Sequence, residues 1–196
     1  TGIELNERYC DFMRAEISVN ASNENYASTD LTNRFDLITI NGTLDHMQNP
    51  LGVIDKVFLD LKPGGLFYIQ TANDEQALKE NLPEESREAF KSFMYQKAHY
   101  LSFNQKTLRK AVELAGFKVI DVHSRHDYNV GNFLHWYFTA KPQKSIHQSK
   151  IAPVHFHGDD EFTNDLMDLF TKLDGDFKLV MSRHMKGEML CLTAQK

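Results

Sequence analysis

The sequence is poor in several things, and each shortage excludes a class of protein. It opens on Thr1-Gly2-Ile3-Glu4 with no initiator methionine and reads as though something preceded it. No run of about 18 apolar residues occurs, so no segment reads as a membrane-spanning helix. Cysteine is limited to Cys10 and Cys191, near opposite ends. That is no disulfide framework, and it fits a reducing, cytoplasmic setting. Basic residues are in deficit, 22 Lys and Arg against 27 Asp and Glu, for a net charge of −5. A large nucleic-acid footprint is therefore not expected. There is no Ser-His-Asp order, no nucleophile elbow, no phosphate-binding glycine loop, no internal repeat and no linker. What remains is an ordinary globular composition, 41% apolar and 25% charged over 196 residues, which is the size of one domain.

Short apolar runs alternate with amphipathic stretches, the signature of βα units on a parallel sheet. Tyr9, Phe12, Met13 and Ile17 recur at helical spacing within 6–17. The run Phe35-Asp36-Leu37-Ile38-Thr39-Ile40 suits a strand covered by helices on both faces. Asn49-Pro50 opens a helix with a stripe of Leu51, Ile54, Val57, Phe58 and Leu61. Lys62-Pro63-Gly64-Gly65 reads as a type II turn, followed by a strand over 66–71. Pro83 divides the charged stretch 75–97 into two helical pieces. Asn104 caps a helix that Gly116 stops, and 117–122 is a strand. Residues 132–138 fit either a strand or a short aromatic helix, and 141–158 read as a loop. Residues 159–173 read as a helix burying Phe162, Leu166, Leu169, Phe170 and Leu173, and 188–193 as a last strand.

Ligands in a doubly wound sheet bind beyond the carboxyl ends of the strands. Glu4 ends the first strand, where an acid commonly accepts ribose hydroxyls; the bland alternative is a helix-capping acid. Asp30 follows a weak strand at 26–29 and suits an amino-purine edge, or else an Asx turn. Asn41-Gly42-Thr43 ends the central strand, and Gly42 admits a ligand close to the backbone. Asp45 and His46 stand at the same rim, although a lone histidine is often structural. Thr71, Ala72 and Asn73 end the next strand. Asn41-Gly42-Thr43 also matches a glycosylation sequon, read here as chance. His155 and His157 precede Asp159 and Asp160, yet no third ligand with fixed spacing appears, so no metal site is expected.

Phe35-Asp36-Leu37-Ile38, Asn41-Gly42-Thr43-Leu44-Asp45-His46, Asn49-Pro50 and Leu61-Lys62-Pro63-Gly64-Gly65-Leu66 together resemble the class I S-adenosylmethionine-dependent methyltransferases. The nearest branch is the bacterial small-molecule group of ubiquinone-biosynthesis and sugar-modifying enzymes, with Asp45 where that branch usually has Glu. His99-Tyr100-Leu101-Ser102-Phe103, Ala115-Gly116-Phe117 and the stretch from Asn132 to Trp136 are similar to it as well. The resemblance implies a Rossmann-like, doubly wound α/β fold, mostly parallel with an antiparallel C-terminal strand. It implies one domain over 1–196, with a cofactor core over 1–126 and a C-terminal region over 127–196. It implies S-adenosyl-L-methionine as cofactor, held by Glu4 and Leu5 at the ribose, Asp30 and Leu31 at the adenine, and Asn41 and Gly42 at the methionine moiety. His46 and His99 then lie near the acceptor as candidate general bases, with Tyr100, Trp136 and Tyr137 as acceptor walls.

The family's first strand, glycine-rich loop and first helix do not occur in these residues. The domain is therefore expected to be N-terminally truncated: a fragment first, or else a domain completed by another chain or degenerate. As given, it is expected to bind cofactor poorly. The expected activity is methyl transfer to a small-molecule acceptor, with no nucleic acid, no membrane span and a homodimer through 127–138 as the partner reading. The alternatives are an NAD(P)-dependent oxidoreductase, disfavoured by Lys62-Pro63-Gly64-Gly65 after the helix, and a non-catalytic methyltransferase-derived interaction domain.

Overall fold

The computed structural model describes residues 1–95, 99–150 and 156–196. His155 therefore lies outside the described residues. The chain opens with β1 (Gly2–Ile3), α1 (Glu7–Glu16) and β2 (Ala21–Ser22), and the two strands pair in parallel. Next come β3 (Phe35–Asn41), α2 (Pro50–Asp60) and β4 (Leu61–Ala72), then the short helices α3 (Ala77–Glu80) and α4 (Glu84–Met94). The second half carries α5 (Gln105–Leu114), β5 (Lys118–Arg125), α6 (Val130–Thr139), α7 (Ile146–Lys150), α8 (Glu161–Arg183) and β6 (Met189–Gln195). The main sheet has the order β3-β4-β6-β5. β3 and β4 are parallel, and β6 runs antiparallel between β4 and β5. The expected α/β architecture with an antiparallel last strand is what forms.

Local chemistry sets the element ends. Asn49 accepts a hydrogen bond from the Gly52 amide at 3.0 Å and Pro50 fills the first helical position, which starts α2. Asn104 and Thr107 form a reciprocal capping box at α5. Gly64, at φ +79°, supplies the turn conformation that only glycine adopts at no cost. The Lys62–Gly65 segment is absorbed into β4 as an irregularity, since Phe35 pairs with Leu61 but Leu37 already pairs with Leu66.

The main core joins Ile40, Leu44, Ile54, Val57, Phe67, Ile69, Leu108, Val112, Leu190 and Leu192. A second cluster packs Leu78, Leu82, Phe90, Met94 and Trp136 between α3, α4 and α6, with the Phe90 and Trp136 rings edge to face at 5.0 Å. The choice left open at 132–138 is thereby resolved: it is helix α6, because Trp136 needs the α4 face.

Several expectations require correction. The strand expected at Tyr26–Thr29 is a single 3-10 turn over Tyr26–Ser28, and the strand lies earlier, at β2. β3 is covered on one face only, and Leu37 on the other is exposed. Leu51 is exposed and Val53 takes its place in the α2 stripe. α7 interrupts the expected loop. α8 runs ten residues past the expected end at 173, and Phe162, Leu169 and Leu173 lie on its exposed side. Tyr9 and Phe12 of α1 and Ile17 at its C-cap are exposed too, while Cys10 is buried.

Candidate active site

Sheet register brings the carboxyl ends of β3, β4 and β5 to one rim. Asn41 pairs with Gln70, and Met189 of β6 faces both Ala72 and Arg125. Just beyond β3, Gly42 adopts φ +61°, and its amide donates to the Gln70 carbonyl at 2.8 Å. A Cβ built there would meet no atom within 4 Å, so the space in front of this turn is open. A single 3-10 turn, Leu44–His46, follows. Leu44 anchors it in the core and places Asp45 beneath the rim, its side chain only 6% exposed.

Segment 99–103 crosses over these strand ends. The Tyr100 amide donates to the Asp45 carbonyl, and the Asp74 amide to the Phe103 carbonyl, both at 2.8 Å. Phe103 is buried and forms a parallel bridge with Asn73. These ties deliver His99 to Asp45 across 54 residues of sequence. Asp45 Oδ2 lies 3.7 Å from His99 Nε2 and 3.9 Å from His46 Nε2. The two imidazole rings are 4.6 Å apart between centroids, tilted by 58°. His99 Nδ1 is 3.0 Å from the Met94 carbonyl. A carbonyl only accepts, so Nδ1 carries a hydrogen and Nε2 is turned toward Asp45. Asp45 Oδ1 is buried and has no hydrogen-bond partner. Among the described residues, Asp45, His46 and His99 are the group whose donor atoms, all within 4.8 Å of one another, could hold a metal ion.

The sequence-predicted cofactor residues fall in three places. Glu4 follows β1 half-buried, and its Oε1 accepts from the Asn6 amide at 2.8 Å. Leu5 beside it is exposed. Asp30 and Leu31 line a cleft of about 540 Å³ together with Ile3, Ser22, Glu24 and Arg34. Glu4, Asn41, Gly42, His46 and His99 do not line that cleft. Asp30 Oδ1 accepts from the Thr32 amide and hydroxyl at 3.4 and 3.1 Å, the Asx-turn arrangement. Those bonds hold its carboxyl below the usual carboxylate range. Asn41 and Gly42 stand at the rim beside the Asp45 group, as expected.

Other expectations find structural duties. Asn73, directly after β4, is buried and spends its side chain on the Met185 and Gly187 carbonyls, at 2.9 and 2.8 Å, and on the Glu75 amide. Trp136 is the centre of the second cluster, whereas Tyr100 and Tyr137 are exposed. The sequence did not mark Ser22 and Glu24, because β2, which holds Ser22 and precedes Glu24, is only two residues long.

A family model described as a methyltransferase domain matches residues 3–122. The chain belongs to that family. Curated proteins give no match. Solved structures do. A SAM-dependent methyltransferase from Archaeoglobus fulgidus is 15% identical with a TM-score of 0.55, over 100% of this chain and 75% of that one. One from Thermotoga maritima, a possible histamine N-methyltransferase, is 17% identical with a TM-score of 0.58, over 100% of this chain and 72% of that one. The 1,6-didemethyltoxoflavin-N1-methyltransferase of Burkholderia thailandensis, solved with its substrate and S-adenosylhomocysteine, is 15% identical with a TM-score of 0.50, over 99% and 59% of the two chains. At these identities the likeness is one of fold.

S-adenosylmethionine is the cofactor of this methyltransferase family, and two observations bear on how the residues present fit it. Glu4 presents an acid directly after a parallel strand, with one oxygen engaged by Asn6. Gly42 leaves the space before β3 clear. Both suit a nucleoside with an aliphatic tail lying along strand ends. No helix among the described residues is long and apolar enough to cross a membrane.

Proposed function

We propose that the methyltransferase acts on a small-molecule acceptor seated beside Gly42, Asp45, His46 and His99. The observation that carries this reading is the convergence of two imidazoles and a buried carboxylate at the strand end beside Gly42, in a chain of the methyltransferase-domain family. The bound sulfonium supplies an already activated methyl group. The protein's task is then alignment and proton removal. Glu4 with Leu5 holds the ribose end, Asp30 and Leu31 the adenine side, and Asn41 and Gly42 the methionine side. His46 and His99 face the acceptor, and an imidazole there takes its proton near neutral pH. The relatives from Thermotoga maritima and Burkholderia thailandensis, whose names are those of small-molecule methyltransferases, support the acceptor class. The family match favours this reading over a nicotinamide-dependent oxidoreductase.

The test is transfer from methyl-labelled S-adenosylmethionine to a panel of small hydroxyl and amine acceptors. Labelled product is expected with wild type, and His99→Ala is expected to lower kcat by about 10²–10⁴-fold. Unchanged turnover in His99→Ala would remove His99 from proton transfer.

A further inference from the structure

We infer that Asp45, His46 and His99 form a binding site for a divalent transition-metal ion. The spacing is the first ground. Asp45 Oδ2 is 3.7 and 3.9 Å from the two Nε2 atoms, too far for hydrogen bonds. Donors about 2.1 Å from a shared ion stand roughly 3.0–3.4 Å apart, so a modest closure of side chains brings the three into a coordination sphere.

The hydrogen-bond pattern is an independent ground. The Met94 carbonyl takes the Nδ1 hydrogen of His99, which turns Nε2 toward the Asp45 carboxylate at 3.7 Å. Metal-ligating histidines characteristically donate their other ring hydrogen to a backbone carbonyl or carboxylate, as His99 does. A third ground is Asp45 itself. Its side chain is almost wholly buried, and Oδ1 has no hydrogen-bond partner, an arrangement that is costly unless a ligand is bound. The histidines are more open, 24% exposed at His99 and 43% at His46, which leaves a path for the ion to enter.

The donor set indicates the class of ion. Two imidazoles and one carboxylate suit Zn²⁺, Fe²⁺, Co²⁺ or Ni²⁺, whereas Mg²⁺ and Ca²⁺ demand mainly oxygen. Three protein ligands leave positions open for water or an acceptor. The functional meaning, though not the binding itself, rests on the acceptor reading above. With the ion bound, an acceptor hydroxyl on it loses its proton more readily, to bulk water, and the histidines serve as ligands; with no ion bound, the imidazoles remain free to act as the base proposed above.

The probe is Co²⁺ added to the metal-free full-length protein, followed by calorimetry and by the visible absorption of the bound ion. About one ion per chain is expected, with affinity lowered about 100-fold or more in Asp45→Asn and in His99→Ala. A double variant at two exposed histidines outside the site, His147 on α7 and His157 (His147→Ala with His157→Ala), is expected to bind as wild type does. Thermal melts of the metal-free variants check that each still folds, and His46→Gln provides a further test of the site. No uptake by wild type would overturn the proposal. So would uptake by Asp45→Asn and His99→Ala that equals that of wild type. A parallel titration with S-adenosylhomocysteine keeps the two readings apart. Cofactor binding without metal uptake leaves methyl transfer standing, and the reverse leaves the metal site standing.

Discussion

Asn73 shows how one side chain holds the far end of the chain to the rim. Its amide donates to two carbonyls more than 110 residues away, in the turn just before β6. Asn73→Ala orphans both acceptors, and a loss of about 2–3 kcal/mol is expected by urea denaturation. Tyr26 plays a smaller part. Its hydroxyl donates to the buried Asp60 carboxylate at 2.8 Å, and Lys56 approaches the same group at 2.9 Å. Burial and the Asp60 charge push the Tyr26 phenol well above its ordinary range, so it stays protonated and keeps donating at any physiological pH. Tyr26→Phe is expected to cost about 1 kcal/mol in the same measurement. Single residues were legible in the sequence where a strand end announced them. Gly42 and His46 were found that way, because β3 is apolar and ends sharply. Asp45 carried no such mark as a ligand. Its partnership with His99 depends on segment 99–103 folding back over the sheet, through backbone bonds that no local pattern encodes.

The helices divide into those whose ends carry their own chemistry and those that packing defines. The boundary of α5 was readable because Asn104 and Gly116 mark its two ends, and Asn104→Ala is expected to cost about 1 kcal/mol through loss of the capping box. α8 was half readable. Asp160 caps it, accepting from the Thr163 amide at 2.7 Å. Its far end was not foreseen because Phe177, which packs with His126 and Phe133, lies beyond the first apolar stripe. The bonds from Thr163 hold the Asp160 carboxyl below its ordinary value of 3.8. A depressed carboxylate pKa stabilises the folded state above the unfolded value, and that contribution disappears as pH falls through the folded one. The helical circular dichroism of wild type is therefore expected to weaken on acidification below about pH 4, and Asp160→Asn, which caps without titrating, to show a smaller loss. β2 was misplaced because Tyr26 and Thr29 are good strand formers, whereas the tertiary bond from Tyr26 to Asp60 favours a tight turn there.

At the scale of the molecule, the α/β class followed from the alternation of elements, and the antiparallel β6 completes the sheet by inserting between β4 and β5. Sequence alone did not reveal how the outer faces would be covered. Leu37 on β3, Tyr9 and Phe12 on α1 and Ile17 at its C-cap read as core and stand exposed, because periodicity reports that a face is apolar and not what lies against it. The site inherits this division. Its Asp45 side is built by the continuous sheet, while Glu4 and Asp30 belong to the β1–β2 unit and the segment after it. The central claim, that these strand ends hold the nucleoside of S-adenosylmethionine, is tested most directly by calorimetric titration of the full-length protein with S-adenosylhomocysteine. One-to-one binding is predicted, weakened at least tenfold, or about 1.4 kcal/mol, in Glu4→Ala. No binding by wild type, or binding unchanged in Glu4→Ala, would contradict it.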